Sequence, residues 1–240
     1  MSKNYLFNGE IMKILSIDTS GKSNSVSILD DQKVLGKIFL NCRLLHSQVI
    51  FKSLENLMSL NSTKFEDIDM FAVCNGPGSF TGIRVGLSLI KGISLVHNKP
   101  CIGVSSLLSL AYSCELDEST VIYSCIEANK EEIYFNSYES IDEDFWKPRF
   151  EDRFIKFDEL KDIVKNEDKK IIFVGNIAEL CYNLNIRFCK FDPRFYTKEV
   201  DSDFVGQAAY RKFLVSGGDS AKSLKANYLK KFKVKGEFSG

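Results

Sequence analysis

The sequence has no excess of charge of either sign. Its 240 residues include 32 lysines and arginines and 32 aspartates and glutamates, so the formal net charge is +0 at pH 7. A chain without net charge has no overall field that draws in the phosphates of nucleic acid. We therefore expect any role with nucleic acid to depend on local contacts or on a partner protein.

Histidine is scarce, and the cysteines follow no common metal or redox motif. The sequence has 2 histidines, and its 7 cysteines include no Cys-x-x-Cys pair. Most cysteines lie in apolar runs with no secretory signal peptide before them, which is typical of reduced, buried thiols in a cytoplasmic protein. We expect no membrane-spanning helix, because Lys91 interrupts the longest apolar candidate.

Apolar residues are plentiful, at 44% of the chain with 12% aromatics, so a sizeable core is expected. We predict a leader at 1–10, a first lobe at 11–115, a second lobe at 116–230 and a tail at 231–240. A helix predicted at 201–214 can pack back on the first lobe. Each lobe then has the size of a modest domain.

The first half predicts three strands joined by tight polar turns, then alternating helices and strands, which is typical of an α/β half-domain. Its predicted elements are strands beginning at Met12, Asn24 and Lys33, a helix at 49–60, a strand at 70–74, a helix at 80–96, a strand at 101–104 and a helix ending near Ser113. The second half predicts strands at 121–127, 133–138, 153–157 and 171–174, helices from 158, at 176–183 and at 201–214, and a final extended segment at 224–229.

Two tight turns could hold an anion. The first follows the first strand, and the second is a Gly-Pro-Gly corner that opens the helix at 80–96, so both place backbone amides and hydroxyls at a strand end. The alternatives are an Asx turn with only local hydrogen bonds and a purely structural corner. The candidate nucleotide- or anion-binding residues are Asp18, Thr19, Ser20, Gly76, Gly78 and Ser79.

The helix at 80–96 is apolar almost all round, apart from a narrow polar ridge of Arg84, Ser88 and Lys91. One apolar stripe can serve the chain's own core. A second stripe carries two glycines that permit close approach of another helix, so it can bind a partner. A wholly internal helix is the alternative. With the broad apolar face of the helix at 49–60, the candidate partner-interface residues are His46, Ile50, Leu54, Leu57, Gly82, Gly86, Leu89 and Ile93.

Three stretches together carry a specific family resemblance. The run Asn75–Arg84, the turn Ile17–Ser20 and the pair His46–Ser47 resemble the bacterial tRNA threonylcarbamoyladenosine biosynthesis protein TsaB family, which is YeaZ-like and related to TsaD. The resemblance extends from Met12 to about Leu110 and is looser in the second half. It implies a two-lobed actin-like ATPase (ASKHA) fold, in which each lobe is a mixed sheet with flanking helices.

The resemblance also implies a function. It implies a non-catalytic scaffold and dimerisation subunit that pairs with TsaD as a heterodimer and with TsaE, reaches tRNA through the complex and forms a homodimer when TsaD is absent. No catalytic residue and no metal are implied, and ATP or ADP is expected to bind at most weakly or jointly with partners. The catalytic relative carries His-x-x-x-His metal ligands, whereas the position four residues after His46 is Ile50.

A nucleotide-binding, kinase-like enzyme of the same fold is the alternative function. The two turns favour it, but the only candidate for a further glycine-rich phosphate loop is Val174-Gly175-Asn176. A metallopeptidase function is disfavoured, because the sequence lacks the metal ligands that it would need. We therefore predict the non-catalytic subunit.

Overall fold

The structure is a computed structural model, and it describes residues 11–41, 46–115, 117–142 and 145–229. The leader predicted at 1–10 and the tail predicted at 231–240 lie outside the described residues. None of the helices in the described ranges is long and apolar enough to cross a membrane.

The first lobe is built on a five-stranded sheet with the order β3-β2-β1-β4-β5. Its strands are β1 Lys13–Asp18, β2 Ser23–Asp30, β3 Lys33–Asn41, β4 Met70–Gly76 and β5 Cys101–Ser105, and its helices are α1 His46–Leu60, α2 Phe80–His97 and α3 Ser106–Tyr112. The first three strands form the predicted antiparallel meander. Strand β4 is parallel to both β1 and β5, which makes the sheet mixed.

The second lobe is built on a six-stranded sheet. Five strands have the order β11-β10-β6-β7-β8, and the sixth, β9, also pairs with β7. Its strands are β6 Thr120–Glu127, β7 Glu132–Asp142, β8 Phe145–Pro148, β9 Arg153–Lys156, β10 Lys170–Gly175 and β11 Arg194–Thr197. The remaining helices are α4 Phe157–Lys165, α5 Ala178–Asn185 and α6 Ser202–Ser216.

The two sheets repeat one topology. If β9 is left out of the count, the first strand of each lobe is flanked by the second and fourth, with the third and fifth outside them. The strand directions also agree, because β6–β7 and β7–β8 are antiparallel while β10 is parallel to β6 and β11. This duplication confirms the predicted two-lobed α/β fold, in which each lobe is a mixed sheet with flanking helices.

Strands β1 and β4 at the centre of the first sheet are buried on both faces. Successive side chains of a strand point to opposite sides, so these strands contribute to two core clusters. On one face Leu15 and Val73 belong to the core cluster that contains the apolar residues of α1 and α2. On the other face Ile14 joins a cluster that includes the apolar residues of α6. That second cluster continues through α3 to Ile122 and Val174 in the second sheet, so the two lobes share a core.

Helix α6 follows the second lobe in sequence and packs on the sheet of the first. A Cβ atom added at Gly206 would lie 2.5 Å from Leu29 Cδ1, so the absence of a side chain lets the helix approach β2 closely. The hydroxyls of Ser27 and Ser202 are 2.5 Å apart. Lys37 on β3 also pairs with Asp201 at 2.6 Å and with Asp203 at 2.7 Å, which fixes the start of the helix.

Three predictions of secondary structure need correction. The prediction has no strand where the structure has β8 and none where it has β11. The helix predicted at 176–183 runs from Ala178 to Asn185. The predicted final extended segment at 224–229 lies outside the strands of both sheets, and its Asn227 N donates a hydrogen bond of 2.8 Å to Asn75 O.

Candidate functional site

The turn after β1 is an Asx turn. Asp18 Oδ1 accepts hydrogen bonds from Ser20 N at 3.0 Å and from Ser20 Oγ at 2.7 Å. Among the described residues, the second carboxyl oxygen, Oδ2, has no hydrogen-bond partner. Burial raises the pKa of Asp18 to about 6, although the hydrogen bonds from Ser20 act in the opposite direction. The Asx turn, which is the alternative to an anion site here, is therefore the observed conformation.

The Gly-Pro-Gly corner packs directly on this turn. Ser79 N donates to Ser20 O at 2.7 Å, and Thr19 Oγ1 donates to Gly82 O at 2.7 Å. Ser79 caps α2, because its Oγ accepts a hydrogen bond of 3.2 Å from Gly82 N. The fold brings the two candidate anion loops together, but the Ser20, Ser79 and Gly82 amides already donate within the protein.

The glycines of this region serve contacts within the chain. A Cβ atom added at Gly78 would overlap Ser20 O, and one at Gly82 would overlap Thr19 O. A Cβ atom at Gly86 would lie 2.6 Å from Thr19 Oγ1. The prediction that Gly82 and Gly86 open α2 to a partner helix is therefore wrong, because they admit the chain's own first turn.

The space beside the two turns is small. The cavity here has a volume of about 20 Å³. It is bordered by Ser20, Gly21 and Pro77 on one side and by Asn176 and second-lobe residues on the other. That volume suits a water molecule, whereas small-molecule sites span roughly 300–1,000 Å³. Weak nucleotide binding at these residues stays a prediction, and it requires the lobes to move apart.

The further candidate phosphate loop, Val174-Gly175-Asn176, is explained by contacts within the second lobe. Gly175 has a φ of +131° and lies so close to β6 that an added Cβ atom would overlap Cys125 O. Asn176 Oδ1 accepts a hydrogen bond of 3.0 Å from Glu127 N. Within the described part of the chain, no three His, Cys, Asp or Glu side chains are grouped as metal ligands would be.

An open apolar groove lies on the outer face of α2, where α1 passes beside it. The groove has a volume of 690 Å³, and Phe51, one of its walls, is 52% exposed. Apart from the adjoining backbone of α2, no described atom lies within 4 Å of a Cβ atom added at Gly92, so the groove is open at this residue. We call this surface the α2 groove; it is lined by Phe51, Phe80, Thr81, Arg84, Val85, Ser88, Leu89, Gly92 and Ile93.

The structure divides the predicted interface residues. Leu89 and Ile93 line the α2 groove, whereas three predicted residues of α1, namely Ile50, Leu54 and Leu57, are at most 3% exposed and belong to the chain's own core. Helix α1 begins at His46, whose side chain lies outside the described residues. The three α1 residues cannot contact a partner in this conformation, and their assignment to an interface is corrected.

Sequence reasoning missed Phe51 and Gly92, and it interpreted Arg84 and Ser88 as a polar ridge only. Arg84, Ser88 and Gly92 are spaced four residues apart, so they form one continuous stripe along the helix. This stripe is flanked by apolar side chains that remain in contact with solvent. The spacing could have identified the exposed side of the helix.

Comparison with known proteins identifies the family. The family described as "TsaD: tRNA N6-adenosine threonylcarbamoyltransferase" matches residues 41–236, which is more than half of the chain. The chain belongs to this family. Among its relatives it is TsaB-like: it is 32% identical over 136 residues to the tRNA threonylcarbamoyladenosine biosynthesis protein TsaB of Escherichia coli (strain K12), covering 56% of this chain and 58% of that protein.

Other relatives extend the match. The TsaB protein of Bacillus subtilis (strain 168) is 24% identical over 169 residues, covering 70% of this chain and 73% of that protein. The crystal structure of YeaZ from Pseudomonas aeruginosa superposes with a TM-score of 0.76 at 18% identity, covering 91% of this chain and 100% of that one. The latter likeness shows that the fold is that of YeaZ. The alignment spans little more than half the length of the Escherichia coli relative.

Proposed function

We propose that this TsaB-like chain is a non-catalytic scaffold and dimerisation subunit of the machinery that forms threonylcarbamoyladenosine in tRNA. In this proposal it pairs with TsaD and with TsaE, and tRNA is bound by the complex. The observation that carries the proposal is the contrast within one helix. The inner side of α2 is closed by the chain's own turn at Thr19, while its outer side is an open apolar groove.

The closed turn argues against independent nucleotide chemistry. Phosphate binding at a helix start needs amides that point to the ligand, and here the Ser20 and Ser79 amides donate to Asp18 and to Ser20 O. The carboxylate of Asp18 is fully buried, so it does not face a substrate. These contacts favour a structural role for the turn over the kinase-like alternative.

The α2 groove supports a role in assembly. Large exposed apolar patches of soluble proteins commonly mark binding surfaces, and helices that pack on one another approach to about 8–10 Å. Ser88 and Gly92 are small residues on one stripe, so a second helix can lie along them at close range. TsaD is related to this chain by family, and a related subunit can take the place of a second copy across a two-fold contact.

Reconstitution tests the proposed function. Purified TsaD, TsaE, threonylcarbamoyl-adenylate, ATP and unmodified tRNA are combined with and without this chain, and threonylcarbamoyladenosine is measured in digested tRNA. We expect modification only when the chain is present and none when TsaD is omitted. Full modification without the chain would contradict the proposal, as would modification by the chain alone.

A further inference from the structure

The last described segment of the chain, Asp219–Leu229, crosses the first lobe. At its start, Asp219 and Cys101 exchange two backbone hydrogen bonds of 3.0 Å each. Leu224 is 2% exposed and packs into the same core cluster as α1 and α2. Asn75 Nδ2 donates to Lys225 O at 3.0 Å. We call this segment the strap, since it is fixed to the first lobe along most of its length.

At Asn227 the strap reaches the junction between the lobes. Asn227 Nδ2 donates a hydrogen bond of 2.7 Å to Asp152 Oδ2, and Asp152 lies between β8 and β9 of the second lobe. The same carboxyl group accepts hydrogen bonds from Ser105 Oγ at 2.6 Å and from Asn136 Nδ2 at 2.7 Å. Asp152 therefore joins the end of β5, the second sheet and the strap, beside a cavity of 460 Å³ that Asn227 also lines.

The next residue of the strap reaches the α2 groove. The rings of Tyr228 and Phe80 are 5.3 Å apart between centroids, and Tyr228 OH accepts a hydrogen bond of 3.1 Å from Arg84 Nε. The Arg84 guanidinium in turn lies 3.7 Å above the Phe80 ring. Phe80 and Arg84 both line the groove, so the contacts of Tyr228 lie at one of its ends.

We propose that the strap couples the junction at Asp152 to the α2 groove, with Asn227 and Tyr228 as positioning residues for Phe80 and Arg84. These two residues are adjacent, so a movement of one changes the backbone position of the other. The groove then has its binding conformation only while Asn227 holds Asp152.

The inference rests on the proposed function for the identity of the partner, so its test has one readout that needs no partner. The Arg84 Nε–Hε signal is followed by ¹H–¹⁵N NMR and assigned with the Arg84→Lys variant. TsaD affinity is measured in parallel by calorimetry. The variants are Tyr228→Phe, which removes the acceptor and keeps the ring, and Asn227→Ala, which removes the contact with Asp152. Tyr196→Phe, an exposed tyrosine on β11, is the matched control.

We expect Asn227→Ala to shift the Arg84 signal in the same direction as Tyr228→Phe and both to weaken TsaD binding by about tenfold, with the fold retained by circular dichroism. The control should match the wild type. An Arg84 signal that responds to Tyr228→Phe but not to Asn227→Ala would overturn the coupling. If the wild-type chain does not bind TsaD, the proposed function fails, and the Arg84 signal still decides the coupling.

Discussion

Replacing Gly92 with leucine should block assembly through the α2 groove without harming the fold. An added Cβ atom at this position meets no described atom within 4 Å, and leucine is favoured over glycine in an exposed helix by roughly 0.5–1 kcal/mol. In the assembled state the leucine occupies the space of the partner helix. Overpacking of this kind costs roughly 1–3 kcal/mol per site.

The size of the effect depends on symmetry. A two-fold homodimer carries the substitution twice, so its dissociation free energy should fall by about 2–6 kcal/mol, which is a weakening of roughly 30-fold or more. A heterodimer with TsaD carries it once and should be weakened by only about 5- to 150-fold. Sedimentation equilibrium over a series of concentrations measures both constants.

Two further variants make this test decisive. Gly86→Leu changes the same helix but forces a Cβ atom to 2.6 Å from Thr19 Oγ1, so it should lower the melting temperature instead of acting on assembly alone. Asn183→Leu adds an exposed leucine to α5 and should leave assembly unchanged. A folded Gly92→Leu protein that assembles with wild-type affinity would refute the assignment of the groove.

Three other predictions concern stability and nucleotide binding. Because burial raises the pKa of Asp18 from 3.8 to about 6, its contribution to stability is present below pH 3.8 and lost as the pH rises to about 6. In urea unfolding, Asp18→Asn should therefore gain up to about 3 kcal/mol over the wild type between pH 4 and 7, and parallel pH profiles would contradict this. Glu167→Ala leaves the buried Tyr123 hydroxyl and the Arg149 guanidinium without their shared carboxylate, so it should cost about 3 kcal/mol in the same assay, whereas Asp168→Ala, at an exposed ion pair, should change stability little. Calorimetry with ATP and ADP should give dissociation constants weaker than about 1 μM, and tighter binding would favour the kinase-like function.

The first lobe could be predicted well because its signals are local. Alternating apolar residues, tight polar turns and the serine cap at Ser79 are contained in short windows, and they place strands β1–β5 and helices α1–α3 within a few residues of their observed bounds. Strand β11 could not be predicted in this way. Its four residues are all exposed at the edge of the sheet, so no pattern of buried and exposed positions distinguishes it from a loop.

Which side of a helix faces the core was harder to predict than the presence of the helix. Where two stripes of α2 are both apolar, periodicity does not say which one faces the core. The answer depends on Thr19, which packs against Gly82 and Gly86 from a turn about sixty residues earlier in the chain. The contact between Tyr228 and Phe80 is still more distant in sequence. Such tertiary contacts carry no local signal, so the sequence could not separate the residues on the open side of α2 from those on its closed side.

The central claim is that one surface of this chain binds either TsaD or a second copy of the chain. Sedimentation velocity of the chain at fixed concentration, titrated with TsaD, tests it most directly. We expect a homodimer to be present without TsaD and to be converted to a 1:1 heterodimer as TsaD is added. A complex in which TsaD binds the intact homodimer, or a homodimer that persists beside free TsaD, would contradict the claim.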